Sequence, residues 1–171
     1  MIIRHTTLQD LPYIMDLYQH AKVIMAKNGN PHQWNSSYPT STLIQEDIKH
    51  NKSYLCEWEG KIIGTFYYAI GEEKSYDIIT NGSWLNTAPY GVIHRIASNG
   101  IVSGVGSFCL DWALNQCGNL KLDTHRDNAI MRNLLRKNDF TYCGIIYLED
   151  GDERLAYQKT SPGLCPFYFS P

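Results

Sequence analysis

His94-Arg95-Ile96-Ala97-Ser98-Asn99-Gly100-Ile101-Val102-Ser103-Gly104-Val105-Gly106 reads as a strand that runs into a loop of small residues and opens a helix. The strand is predicted over 90–97, Tyr-Gly-Val-Ile-His-Arg-Ile-Ala, from its β-branched content. The helix is predicted over 103–117, with Val105, Phe108, Cys109, Trp112 and Ala113 on one face. Gly104 and Gly106 let main chain approach a ligand, and the first-turn N–H groups of the helix have no partner inside it. Those donors and the helix dipole suit a phosphate or pyrophosphate. A dinucleotide fingerprint would need a third small residue where Cys109 stands. Asp123 lies at the distance of a ribose-binding acid, so a nicotinamide-dependent oxidoreductase stays open as a further reading. A Walker loop is excluded, because no Gly-Lys-Ser/Thr follows.

Upstream of this stretch, residues 1–6 read as a strand, and Thr7 with Asp10 resembles a capping box. Leu11, Ile14, Leu17, Tyr18, Ala21, Ile24 and Met25 form one helical stripe that Asn28-Gly29-Asn30-Pro31 ends. A loop at 31–40 carries Gln33-Trp34 and Tyr38-Pro39, and a second helix covers 41–50. Strands at 53–58 and 61–70 flank the Glu59-Gly60 turn, and a loop or short helix fills 71–88. Downstream come a strand at 119–124, a helix at 128–138, and a hairpin of 140–148 with 153–159. The order β-α-α-β-β-β-α-β-α-β-β implies a single-domain α/β fold. Its sheet is mixed, mostly antiparallel, of about seven strands with helices on both faces. The domain spans 1–159, followed by a C-terminal tail at 160–171.

Composition narrows the function. With 171 residues and 43% hydrophobic content, the chain can build one core unaided. A net charge of -2 with scattered lysines and arginines offers no footprint for nucleic acid or a membrane surface. No apolar run approaches a spanning helix and the N-terminus has no signal core, so a cytoplasmic protein is expected. Five cysteines without a CxxC pair suit buried, reduced thiols.

The strand–loop–helix unit resembles the GNAT superfamily of N-acetyltransferases, and the likeness extends over about residues 2–159. The family's Arg/Gln-x-x-Gly-x-Gly/Ala falls on Ile101-Val102-Ser103-Gly104-Val105-Gly106, with both glycines present and Ile101 in the first position. Asp123-Thr124-His125-Arg126-Asp127-Asn128, followed by Met131, Leu134, Leu135 and Phe140, resembles the family's next strand and helix. The Gln33-Trp34…Tyr38-Pro39 loop and Gly144-Ile145-Ile146-Tyr147 resemble a bacterial subgroup. The resemblance implies that two strands splay apart and that pantetheine lies between them as an added strand. It would bond main chain at Ile96, Ala97 and Ser98. Pyrophosphate would rest on Ile101, Val102, Ser103, Gly104, Val105 and Gly106, and Asn128 would contact the arm. Asp127 is expected to cap the following helix, leaving the Asn128 amide free. A tyrosine that often follows seven residues later is here Leu135.

The implied activity is transfer of the acetyl group of acetyl-CoA to a primary amine, on a small molecule or peptide, by direct attack and without a metal. His94 is the first candidate for the general base, on a strand beside the expected thioester, and His125 the second. Tyr147, or Tyr157, is the candidate acid for the leaving thiolate. Trp34 and Tyr38 either line the acceptor mouth or anchor a loop. Arg132 and Arg136 suit the helix dipole better than a cofactor phosphate. A homodimer is allowed. A non-catalytic acyl-CoA sensor or interaction domain is the alternative, because fold does not fix function.

Overall fold

The computed structural model describes residues 1–71 and 73–161, so nearly all of the expected tail lies outside the described residues. In chain order it contains β1 (Ile2–His5), α1 (Leu11–Lys27), α2 (Ser41–Lys49), β2 (Ser53–Trp58), β3 (Lys61–Ile70) and β4 (Gly91–Ser98). It continues with α3 (Val105–Cys117), β5 (Asn119–Thr124), α4 (Ala129–Lys137), β6 (Thr141–Tyr147) and β7 (Glu153–Thr160). Thr160, expected to start the tail, closes β7 by pairing with Asn119. The Thr7–Asp10 signal opens a 3-10 turn, Leu8–Asp10, ahead of α1. The Asp10 carboxylate accepts from the Thr7 amide at 2.8 Å and the Thr7 hydroxyl at 2.7 Å.

The described strands form one seven-stranded sheet in the order β1-β2-β3-β4-β5-β7-β6. Neighbours run antiparallel except β4 and β5, which are parallel. Residues alternate between faces along each strand. Cys56, Ile63, Phe66, Ile93, Leu120 and Leu122 thus pack with Val105, Cys109, Leu110 and Ala113 of α3 and Leu135 of α4. On the opposite face Leu55 and Ala97 meet Ile14 and Tyr18 of α1 and Ile44 of α2. Burying each Val, Leu, Ile or Phe among them contributes about 1.5–3 kcal/mol before chain entropy is subtracted.

The β3–β4 connection closes the second face over β5, β6 and β7, where Tyr76, Val92, Ile146 and Ala156 form a third cluster. Polar side chains pin it. Fully buried Gln158 accepts from the Leu85 amide at 2.7 Å and donates to Asn119 Oδ1 at 2.6 Å. Asn119 in turn donates to Asn86 Oδ1 and to the carbonyls of Ala88 and Pro89. Lys121 lies under the same segment, with Nζ 4.3 Å from the Trp84 ring centre and 3.8 Å from that of Tyr90. The four described cysteines, Cys56, Cys109, Cys117 and Cys143, are free and buried.

Candidate active site

Strands β4 and β5 pair only at Gly91–Leu120 and Val92–Lys121. Both strands continue, β4 to Ser98 and β5 to Thr124, but no further register joins them. Their facing edges therefore carry main-chain donors and acceptors without a ladder partner. A cavity of about 920 Å³ occupies the resulting gap. Its walls include His94, Ile96, Ala97 and Ser98 of β4 and Leu122, Asp123 and Thr124 of β5. An added extended chain would find hydrogen-bonding groups on both sides.

The N-terminus of α3 forms one end of this cavity. Val102, Gly104, Val105, Gly106 and also Ser107 line it. The two glycines serve different purposes. Gly104 is the helix N-cap at φ +82°, where an added Cβ would meet nothing, so the requirement is conformational. Gly106 would place a Cβ 2.7 Å from Leu134 Cδ2, so its absence of side chain lets α3 lie against α4. Ile101, 79% exposed, and exposed Ser103 stand outside the cavity wall, unlike the expected cradle residues around them.

Asn128 lines the cavity, but as the N-cap of α4. Its Oδ1 accepts from the Met131 amide at 3.0 Å, and its Nδ2 donates to Gln33 Oε1 at 2.8 Å. The expectation that Asp127 takes the cap is thus corrected. The Asp127 amide donates to His125 Nδ1 at 3.1 Å, so His125 supports this turn. Asn30 Nδ2 also donates to Gln33 Oε1, at 2.7 Å. One carboxamide oxygen therefore ties the loop after α1 to the start of α4. Trp34 and Tyr38 line the cavity beside it, their rings 5.9 Å apart, and Trp34 also packs on Tyr18. They are both wall and loop anchor.

His94 lines the cavity between two carboxylates. Its Nε2 is 3.4 Å from Glu73 Oε2 and its Nδ1 is 3.8 Å from Asp123 Oδ1. The facing imidazole holds the Glu73 carboxyl below its ordinary range, against the effect of partial burial. Tyr76 Oη donates to Asp123 at 2.8 Å, and burial with that carboxylate pushes the phenol well up. Asp150, Asp152 and Arg154, from the β6–β7 hairpin, complete this end. Glu73 and Tyr76 were not legible as site residues, since they lie in a connection without periodicity. Among the described residues no group of His, Cys, Asp or Glu is placed to hold a metal ion.

The candidate acid is corrected. Tyr147 pairs with Glu153 near the end of the outermost strand, is 47% exposed and does not line the cavity. Tyr157 packs in the core on the α3 face. Leu135 is fully buried there too.

Neither a family model nor a curated protein matches the sequence. Solved structures do. An acetyltransferase of the GNAT family from Streptococcus agalactiae is 30% identical, with a TM-score of 0.84 over 94% of this chain and 95% of that one. A ribosomal-protein-alanine N-acetyltransferase from Brucella melitensis shares the fold at 18% identity and TM-score 0.64, covering 94% and 100% of the two chains. An aminoglycoside acetyltransferase, solved with coenzyme A and kanamycin, does so at 17% identity and TM-score 0.62, covering 92% and 93%. With the splayed strand pair, the glycine-opened helix at its end and a relative of this identity over nearly the whole length, the chain belongs to the GNAT family of acetyltransferases.

Proposed function

We propose that the protein transfers the acetyl group of acetyl-CoA to a primary amine. The divergence of β4 from β5 around the cavity carries this reading, because it leaves two unpaired main-chain edges the length of an extended ligand. Ile96, Ala97 and Ser98 would hold the pantetheine arm as an added strand. Val102 and Gly104 to Gly106 would receive the pyrophosphate at the amides of the α3 N-terminus. Asn128 and Gln33 border the arm. Thr124 contributes a fully buried hydroxyl without a partner at the end of β5.

The acceptor would enter past Trp34 and Tyr38. Glu73, Asp123, Asp150 and Asp152, offset only in part by Arg154 beside Asp123 and Asp152, give the His94 end of the cavity the charge that suits a protonated amine. The amine must lose a proton before its nitrogen can attack the acetyl carbon. His94 takes that proton, and the ring then sits between Glu73 and Asp123. The nitrogen–carbon bond forms, the carbon–sulfur bond breaks, and CoA leaves as the thiolate, which takes up the second proton of the attacking nitrogen and departs as the free thiol. Main-chain donors at the β4 edge would stabilise the intermediate oxyanion.

The test is acetyl-CoA turnover against a panel of small-molecule and peptide amines, followed by release of free thiol. His94→Ala is expected to lower kcat/KM on the order of 10²-fold, with part of the loss recovered at high pH. CoA binding without thiol release from any amine would instead favour an acyl-CoA sensor, a reading supported by the placement of Leu135 and Tyr147 away from the cavity. No binding of CoA would overturn both.

A further inference from the structure

Arg95 lies within β4 at φ +53°, in the left-handed region. A non-glycine side chain is strained there, and the surrounding structure must offset that strain. The cause is a change of register. Tyr67 of β3 faces His94 and Thr65 faces Ala97, so Phe66 alone stands opposite Arg95 and Ile96. This is a β-bulge, a device that re-aims main chain. It falls where β4 has already parted from β5, so the main chain of Arg95 and Ile96 borders the cavity beside His94.

The Arg95 side chain, 10% exposed, grips three other elements. Its Nη2 pairs with Asp47 Oδ2 of α2, and its Nη1 donates to Tyr38 Oη at 3.1 Å. Its guanidinium carbon lies 4.8 Å from the centre of the Tyr67 ring on β3. Only Nε lacks a partner. A glycine would take the same φ without strain, and an apolar residue would fill the same space without burying an ion pair. The arginine is therefore a costly choice for stability alone. It also joins the bulge to Tyr38, a wall of the same cavity.

We propose that Arg95 is a positioning residue for acyl transfer. It clamps the bulge between α2, β3 and the Tyr38 loop, and so fixes both the main-chain donors at the reacting carbonyl and the acceptor wall. This rests on the reading of the cavity as an acetyl-transfer site. Arg95 acts through the backbone and Tyr38 and does not touch the reacting atoms itself.

Turnover by the wild-type protein with one amine is measured first, and its absence sinks the functional reading without bearing on the clamp. Arg95→Gly then removes the clamp while relieving the strain. At saturating substrates kcat is expected to fall on the order of 10²-fold, the scale of losing an oxyanion donor. The KM for acetyl-CoA should change less than about threefold, because the pyrophosphate end is untouched. Arg95→Lys keeps the charge without the planar fork and should recover only part of the rate. If Arg95→Gly fails to fold, Asp47→Asn keeps the size of the partner and the backbone of the bulge. It leaves the buried Arg95 charge unpaired and should lower the melting temperature, and kcat, read well below that temperature, should fall about tenfold. Wild-type kcat in either folded variant overturns the proposal. So does a rate loss that disappears on assaying well below the variant's melting temperature, because that marks stability alone.

Discussion

Asn128 Oδ1 accepts the Met131 amide while Nδ2 donates to Gln33 Oε1, so one side chain starts α4 and holds a loop 95 positions away in sequence. Asn128→Ala removes both bonds. Loss of the cap costs about 1 kcal/mol, and for a domain of this length that lowers the melting temperature by about 2–4 °C. Asn128→Asp keeps an oxygen for the Met131 amide but loses the donor to Gln33 Oε1, so it should keep the cap and still melt below wild type. An alanine variant as stable as wild type would show that the cap contributes nothing. The sequence showed a cap here but not which residue filled it. Asp127 and Asn128 are both good caps, and the choice depends on where the chain leaves β5, a tertiary matter. Gly104 and Gly106 show the same limit. Both were legible as small residues at a helix entry, yet one answers to φ and the other to the neighbouring Leu134.

At the scale of elements, strands and helices with clear periodicity were legible, and β2, β3 and β5 begin and end where their patterns do. The β3–β4 connection was not, because Gln158 of β7 and Asn119 of β5, distant in sequence, pin it to the sheet. The turn ahead of α1 illustrates how an element end is held by charge. The hydrogen bonds of Arg4, at 2.8 and 2.9 Å, are the main reason the Asp10 carboxyl lies well below its usual range, with those of Thr7 adding to them. A depressed folded pKa gives stability that is fully present above the ordinary carboxylate value of about 3.9 and is lost as pH falls through the depressed one. Arg4→Met removes the main cause. The variant should be less stable than wild type at pH 6, and the gap in urea midpoint should narrow by pH 3. A gap of constant width would show that Arg4 acts through packing alone.

For the molecule as a whole, the decisive feature is that the sheet is continuous in order but open in the middle. Strands β1 to β4 and β5 to β7 form two well-paired halves, joined at only two register positions. The resemblance implied this opening, but composition and periodicity could not show it, since β4 and β5 read as ordinary strands along their whole lengths. What holds the halves together elsewhere is α3, packed across β3, β4 and β5, with Val105 and Leu110 in one cluster with Leu122 of β5 and Leu135 of α4. An extended ligand in the gap would restore the missing ladder, and hydrogen exchange reads that directly. In the free protein, amides on the facing edges within His94–Ser98 and Leu122–Thr124 should exchange fast, because they open without unfolding anything. Saturating CoA should slow them by tenfold or more. Amides shared by β1 and β2 lie on the far edge and should change only insofar as they exchange through global unfolding, which the ligand also suppresses. Working at a pH and temperature where local opening dominates separates the two effects. Selective protection of the gap edges would support pantetheine as an added strand. Equal protection of all strands, or none at His94–Ser98, would place CoA elsewhere on the molecule and leave the splayed pair without its ligand.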